Sequence, residues 1–277
     1  MAIQAETLLA HSFPELRQSY TERDAILYAL GVGLGADPMD ERDLDYLIET
    51  RLKVLPTFAA TLASPGMWIR DPQFGIDFRK LVVSSQEAEF HVPLPPAAEV
   101  KATPRVASLY DRGEGRGALL TVERAVRDAA NDTHYATVRQ TLLLRGDGGF
   151  DGTPAPKTDV AGVPDRAPDA REVVRISPRA ALIYRLSGDL NPLHADPAFA
   201  KAAGFSQPIL HGLASYAIAG NAIMRATGGS ISRLSCRFAG VVLPGSEMVV
   251  SIWRDGDDII FEAHVGQQRV LDQGRAK

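Results

Sequence analysis

Residues 213–226 read LASYAIAGNAIMRA, with only Asn221 and Arg225 as strongly polar members. A helix that is apolar on nearly all sides must be wrapped by other structure, not laid on a surface. Its Gly, Ala and Ser residues let a surrounding sheet come close. Beyond Gly228-Gly229 the pattern changes to period two: Leu234, Cys236, Phe238, then Met248, Val250, Ile252, then Phe261, Ala263, Val265. Turns at Leu243-Pro244-Gly245 and Asp255-Gly256-Asp257 divide these strands into an antiparallel meander.

The same scheme is expected upstream. Arg23–Leu30 aligns with Arg179–Leu186, Val54–Ala59 with Ile209–Ala214, and Pro96–Val100 with Pro244–Met248, at offsets between 148 and 156. Three matches in one order indicate a duplicated unit. Strands are expected around Val82, Phe90–Val92, Glu99–Leu109, Gly117–Asp128 and Tyr135–Leu144. Residues 151–170, DGTPAPKTDVAGVPDRAPDA, lack periodicity and read as a linker. The expected division is an N-terminal half over 1–150, the linker over 151–170, and a C-terminal half over 171–277.

The chemistry concentrates just before the apolar helix, in YRLSGDLNPLHADPAFAKAAGFSQPILH, residues 184–211. Ser177-Pro178 starts a helix that Gly188 ends. Asp189, Asn191 and His194 then fall within six residues, and Asp196-Pro197 begins a further short helix. A carboxylate and an imidazole five residues apart in a turn can converge on one water molecule, which suits adding water to a polarised double bond. The Ile209-Leu210-His211-Gly212 step opens the buried helix, whose first N–H groups can receive a developing oxyanion. His211 itself reads as shaping that helix start. In the repeat register Asp189 faces Gly33 and His211-Gly212 faces Pro56-Thr57, so the N-terminal half reads as structural or substrate-binding and lacks the acid/base groups.

Bulk properties narrow the function classes. The chain has 277 residues, 45% hydrophobic and 23% charged, with a net charge of −4, the profile of a globular protein. Its cations are not clustered, so nucleic acid is not an expected partner. No run of eighteen apolar residues suggests a membrane span. The N-terminal stretch lacks the features of a secretory signal, and Arg275-Ala276-Lys277 is not a peroxisomal address of the Ser-Lys-Leu type; a cytoplasmic protein is expected. The single cysteine, Cys236, reads as a small core residue. Six histidines without a paired spacing such as HxxxH give no expectation of a metal, and no cofactor is expected. Gly31-Val32-Gly33-Leu34-Gly35 follows a helix and not a strand, so it is not a dinucleotide loop.

One long buried helix per half, each followed by a curved antiparallel sheet, describes an α+β double hot-dog, two sheets each wrapping a central helix. The chain resembles type-2 (R-specific) enoyl-CoA hydratases of the MaoC-like group, including the hydratase portion of peroxisomal multifunctional enzymes and their free-standing bacterial relatives. The resemblance rests on Tyr184–Asp189, Asn191–His194, Ala203-Gly204-Phe205 and Pro208–Gly212, and upstream on Tyr20–Asp24, Ala29–Gly33 and Val54–Phe58. It covers close to the whole chain.

The resemblance implies syn hydration of a trans-2-enoyl-CoA to a (3R)-3-hydroxyacyl-CoA, a step of fatty acid metabolism. It maps the catalytic pair onto Asp189 and His194, a supporting asparagine onto Asn191, and the backbone oxyanion donor onto Gly212. Expected substrate contacts are Arg112, Phe238, Leu190 and Leu193. The chain departs from the group where Val83-Ser84-Ser85 replaces a His-Gly-Glu stretch and Arg112 replaces a lysine. Three alternatives stay open: a dehydratase acting on acyl-carrier-protein thioesters, an enzyme for branched or dicarboxylic acyl-CoA, and a non-catalytic acyl-CoA-binding hot-dog. The Asp189/His194 pair argues against the last, and the SGDxNPLH order against a thioesterase. A homodimer is compatible with the expected double hot-dog.

Overall fold

The computed structural model describes residues 3–156 and 162–277. Residues 157–161, inside the expected linker, lie outside the described residues. In chain order the elements are α1 (Ala5–Leu9), β1 (Leu16–Tyr20), α2 (Glu22–Gly31), β2 (Leu81–Phe90), β3 (Ala98–Ala102), β4 (Arg105–Asp111), β5 (Ala118–Asp128) and β6 (His134–Leu144). Next come β7 (Ala170–Arg175), α3 (Ala180–Tyr184), α4 (Pro197–Ala202), α5 (Gly212–Thr227), β8 (Arg233–Phe238), β9 (Glu247–Asp255), β10 (Asp258–Val265) and β11 (Gln268–Ala276). No helix among the described residues is long and apolar enough to cross a membrane.

Among the described residues the strands form one antiparallel sheet of eleven, ordered β1-β3-β5-β6-β2-β8-β11-β10-β9-β7, with β4 paired to β5. The expected two sheets are thus joined. β2 pairs with β8 from Ser85 opposite Arg237 to Glu89 opposite Arg233, which welds the N-terminal strands to the C-terminal ones.

The apolar run at 213–226 forms α5, which buries ten of its sixteen residues. Its small residues permit the close packing: a Cβ on Gly220 would lie 2.9 Å from Leu234 Cδ2 and 3.0 Å from Thr57 Cγ2. The Asp196 carboxylate caps α4 by accepting from the N–H groups of Ala198 and Phe199. The helix expected from Ser177 begins later, at Ala180, although Ser177 Oγ does accept from the Arg179 N–H at 3.1 Å.

Among the described residues of the N-terminal half no long helix forms, which corrects the expectation of one per half. Residues Pro56–Ala60, aligned with the start of α5, make a 3-10 turn. Ala63 then adopts a positive φ of 45° and Pro65-Gly66 come next, so the helix cannot propagate. Short 3-10 turns occupy much of residues 41–80 instead. Arg124, buried on β5, fixes the end of the Pro56–Ala60 turn by donating to the carbonyls of Ala60 (2.5 Å) and Leu62 (2.9 Å).

The strand readings also shift in detail. Val82 and Phe90 lie on the single strand β2, while Thr103-Pro104 divides the expected Glu99–Leu109 strand into β3 and β4. Ala170, the last expected linker residue, already opens β7. β11 was not among the expected strands. Its pairing with β8 is interrupted between Asp272 and Arg275, where Gln273 takes a φ of 51°.

One apolar core runs through both halves, from Tyr28, Phe58 and Leu62 to Tyr184, Tyr216, Ile223 and Phe261. A smaller cluster around Leu8, Phe74, Leu120 and Leu144 sits under α1. Helices α2 and α3 pack together, and their aligned residues Tyr28 and Tyr184 meet ring to ring at 5.7 Å.

Candidate active site

The turn after α3 is built by short-range bonds that its residue types dictate. Gly188 takes a φ of 114°, which favours glycine and reverses the chain. The Asp189 carboxylate accepts from the Asn191 N–H at 3.1 Å, and Asn191 Oδ1 accepts from the Leu193 N–H at 3.1 Å. Asn191 is therefore the cap of a 3-10 turn, Pro192–His194, that turns the imidazole inward. Asp189 remains exposed, and His194 is buried.

His194 Nδ1 lies 2.9 Å from the Ile209 carbonyl. A carbonyl only accepts, so Nδ1 carries the proton and Nε2 of the neutral ring keeps its lone pair. Burial pushes the His194 pKa below its usual 6.5, against the opposing pull of the Ile209 bond and the Asp189 charge. His194 is thus held as a neutral ring with one free acceptor nitrogen.

His211 adjoins this pair. Its ring stacks on His194 with centroids 3.7 Å apart and an interplanar angle of 26°, and it meets Tyr184 at 4.9 Å. His211 Nε2 lies 3.2 Å from the Asp189 carbonyl. Its Nδ1 is buried without a hydrogen-bond partner among the described residues, as are Tyr184 Oη and Arg185 Nε. Burial, followed by the neighbouring His194, pushes the His211 pKa down to about 4. Burial raises the Tyr184 hydroxyl well above its usual value, so it stays protonated.

Asp189, His194 and His211 each offer one donor atom within 4.8 Å of the others, close enough for one water molecule or one ion. Beyond His211 the chain enters α5: His211 O accepts from Ala214 and Ser215, and the N–H of Gly212, the first helical residue, has no partner within the helix. The Phe238 ring covers this position, since a Cβ on Gly212 would lie 3.3 Å from Phe238 Cε1.

The structure therefore brings together Asp189, Asn191, His194, Gly212 and Phe238. Leu193 is half-buried in the same turn, while Leu190 is 60% exposed. Arg112 stands on another element, the β4–β5 turn, where its N–H donates to the Gly117 carbonyl, and no described interaction links it to this group. A pocket of about 150 Å³ borders the turn, between Tyr20, Leu27 and Phe58 of the N-terminal half and Leu186–Gly188 of the C-terminal half.

Tyr184 and the His211 side chain thus join the site beyond the residues that the sequence pattern points to. The usable signal was the spacing from Tyr184 to His211 around a sharp Gly188 turn, which returns the chain to the same point.

Residues 159–274 match the MaoC like domain family, and residues 18–146 match the MFE-2 hydratase 2 N-terminal domain family. The chain is 38% identical over 270 residues to the enoyl-CoA hydratase ChsH3 of Mycobacterium tuberculosis, covering 94% of this chain and 92% of that protein. It is 35% identical to a peroxisomal enoyl-CoA hydratase 2 of Arabidopsis thaliana, covering 95% and 91%. Among solved structures, a MaoC-like dehydratase from Phytophthora capsici superposes with a TM-score of 0.84 at 27% identity, covering 98% of this chain and 97% of that one. A Mycobacterium tuberculosis protein described as a double hotdog fold superposes with a TM-score of 0.51 at 13% identity, covering 96% and 95%, a likeness of fold alone.

Proposed function

The chain belongs to the MaoC-like dehydratase family, and on that premise we propose that it catalyses the reversible syn hydration of trans-2-enoyl-CoA to (3R)-3-hydroxyacyl-CoA through Asp189 and His194. The observation that carries this reading is the state of His194, neutral, buried and bonded through Nδ1–H to Ile209, so that Nε2 keeps its lone pair, with a ring nitrogen within 4.8 Å of an Asp189 carboxylate oxygen. Enzymes named enoyl-CoA hydratase among its relatives support the reaction class.

A water held between the two side chains gives a proton to the pair as its oxygen bonds to C3. The electrons of the double bond move onto the thioester oxygen, which becomes enolate-like and takes the Gly212 N–H. Collapse of that enolate forms the C2–H bond with a proton delivered by the same pair, so the site ends in its starting charge state. Both additions come from the side of the pair, which makes the overall addition syn. Dehydration is the same path reversed. Loss of one oxyanion donor typically costs about 3 kcal/mol in barrier. A donor at the start of α5 is pre-positioned and does not move during reaction.

The N-terminal half lines a pocket next to the Gly188 turn through Tyr20, Leu27 and Phe58. An acyl chain entering beside Gly188 would meet this pocket, so chain-length preference is the property to measure. The experiment is incubation with trans-2-enoyl-CoAs of graded length, following loss of conjugation, with product chirality read by an (R)-specific dehydrogenase. Turnover to the R product is expected, with Asp189→Asn and His194→Gln each lowering kcat by about 10²- to 10⁴-fold. Near-normal rates in both variants would sink the mechanism, and no turnover of any enoyl-CoA would sink the function.

A further inference from the structure

We propose that His211 is the positioning residue of this site, holding the Asp189 backbone, the His194 ring and the start of α5 in one register. This rests on the hydratase reading.

Three contacts of one side chain and its own carbonyl make the case. His211 Nε2 lies 3.2 Å from the Asp189 carbonyl, and since the carbonyl can only accept, Nε2 carries the proton. This bond reaches across 22 residues of chain to a turn that is otherwise exposed and tied mainly by bonds to its own neighbours. The ring then covers one face of His194 at 3.7 Å, while Ile209 fixes the Nδ1 edge. His194 is thereby held in its plane by Ile209 and out of its plane by His211. The His211 carbonyl accepts from Ala214 and Ser215, so the same residue starts the helix that presents the Gly212 N–H.

His211 is not suited to be the acid or base itself. Its Nε2–H is committed to the Asp189 carbonyl, and its Nδ1 is buried. Tyr184 closes another side of the ring at 4.9 Å. The residue is 1% exposed, so it acts through Asp189 and His194 and not on substrate.

Three substitutions separate the hydrogen bond from the packing. His211→Phe keeps an aromatic ring for His194 to stack on and removes the donor. His211→Gln places an N–H close to where Nε2 stood, and His211→Asn is too short to reach. Misplacing reacting groups by about 1 Å costs on the order of 10²-fold in rate. We therefore expect kcat to fall about 10- to 100-fold in His211→Phe and His211→Asn, with KM for a trans-2-enoyl-CoA within about threefold of wild type, and Gln to recover most of kcat. Thermal unfolding of each variant excludes unfolding as the cause, and the Gln/Asn comparison stands even where Phe is not tolerated.

A kcat near wild type in His211→Phe, or Gln no better than Asn at equal thermal stability, overturns the inference. If wild type itself turns over no enoyl-CoA, it is the functional reading that fails. If wild type is active and Asp189→Asn is dead while the His211 variants are unaffected, only the positioning role fails.

Discussion

Replacing His211 by glutamine should flatten the dependence of folding stability on pH between about 4 and 6.5. His211 is buried beside His194, and its pKa is pushed down from 6.5 to about 4. The groups facing it are Tyr184, Arg185, Asp189 and His194. In the unfolded chain the same imidazole titrates near its usual value. Between those two values the unfolded state binds more protons than the native state, so stability rises with pH across this window. The native state thus has its full reference stability above pH 6.5 and loses it progressively as pH falls toward 4.

The magnitude comes from the gap. At about 1.4 kcal/mol per pH unit the whole window is worth about 3 kcal/mol. Between pH 7 and pH 5 roughly 2 kcal/mol of this is expressed. For a chain of this size that corresponds to about 4–8 °C in Tm. The assay is thermal unfolding of wild type and His211→Gln at several pH values between 4.5 and 7.5. Carboxylates titrate in both proteins and cancel in the difference, so the quantity that matters is the difference in slope. Glutamine does not titrate, and the variant should lose about 4–8 °C less than wild type on going from pH 7 to 5. Parallel curves would show that His211 is not held neutral by burial and would remove the reasoning.

The acid limb of the kcat/KM profile should have its midpoint below pH 6.5, because burial lowers the pKa of His194 and activity is lost as that ring becomes protonated; a midpoint above 6.5, read from initial rates across pH 4.5–8, contradicts the assignment. Gly188→Ala has open space for its Cβ but must hold a φ of 114°. It should cost about 1–3 kcal/mol and lower kcat about tenfold by shifting Asp189, measured by denaturation and initial rates; wild-type values in both would show that the turn does not depend on glycine. Arg225 bonds Asp40 and the buried Asp43 (2.5 Å to the latter) and ties α5 to the 3-10 turn at Glu41–Tyr46. Arg225→Ala should destabilise by about 3 kcal/mol, and Asp43→Asn added to it should restore part of the loss in thermal unfolding.

How far the sequence could be read depended on the range of the interaction. The Asp189–His194 turn was legible because its side-chain bonds span two residues and derive from residue type: glycine reverses the chain, and Asp and Asn each accept from an N–H two residues on. The buried helix was legible from its own apolar pattern, and the strands of the C-terminal meander from period two. His211 was not, because its partner is a carbonyl, which every residue carries, and no residue type at position 189 announces it. β11 escaped notice because QRVLDQGRA opens on polar residues and its pairing breaks at Gln273.

The long N-terminal helix was misread for a different reason. The match of Val54–Ala59 to Ile209–Ala214 is genuine as sequence, yet it spans only the first turn of α5. Whether a helix propagates is decided by the residues beyond that turn. After Ala60 the chain meets Leu62-Ala63-Ser64-Pro65-Gly66, where α5 continues through Ala217, Ile218 and Ala219. The broken copy then gains a use. Its 3-10 turn carries Phe58 to the pocket beside Gly188 and Thr57 to the Gly220 face of α5, with Arg124 clamping the turn's last carbonyls. The proline and glycine at 65–66 thus end the N-terminal copy after one turn, while the half that kept its helix keeps the first-turn N–H at Gly212.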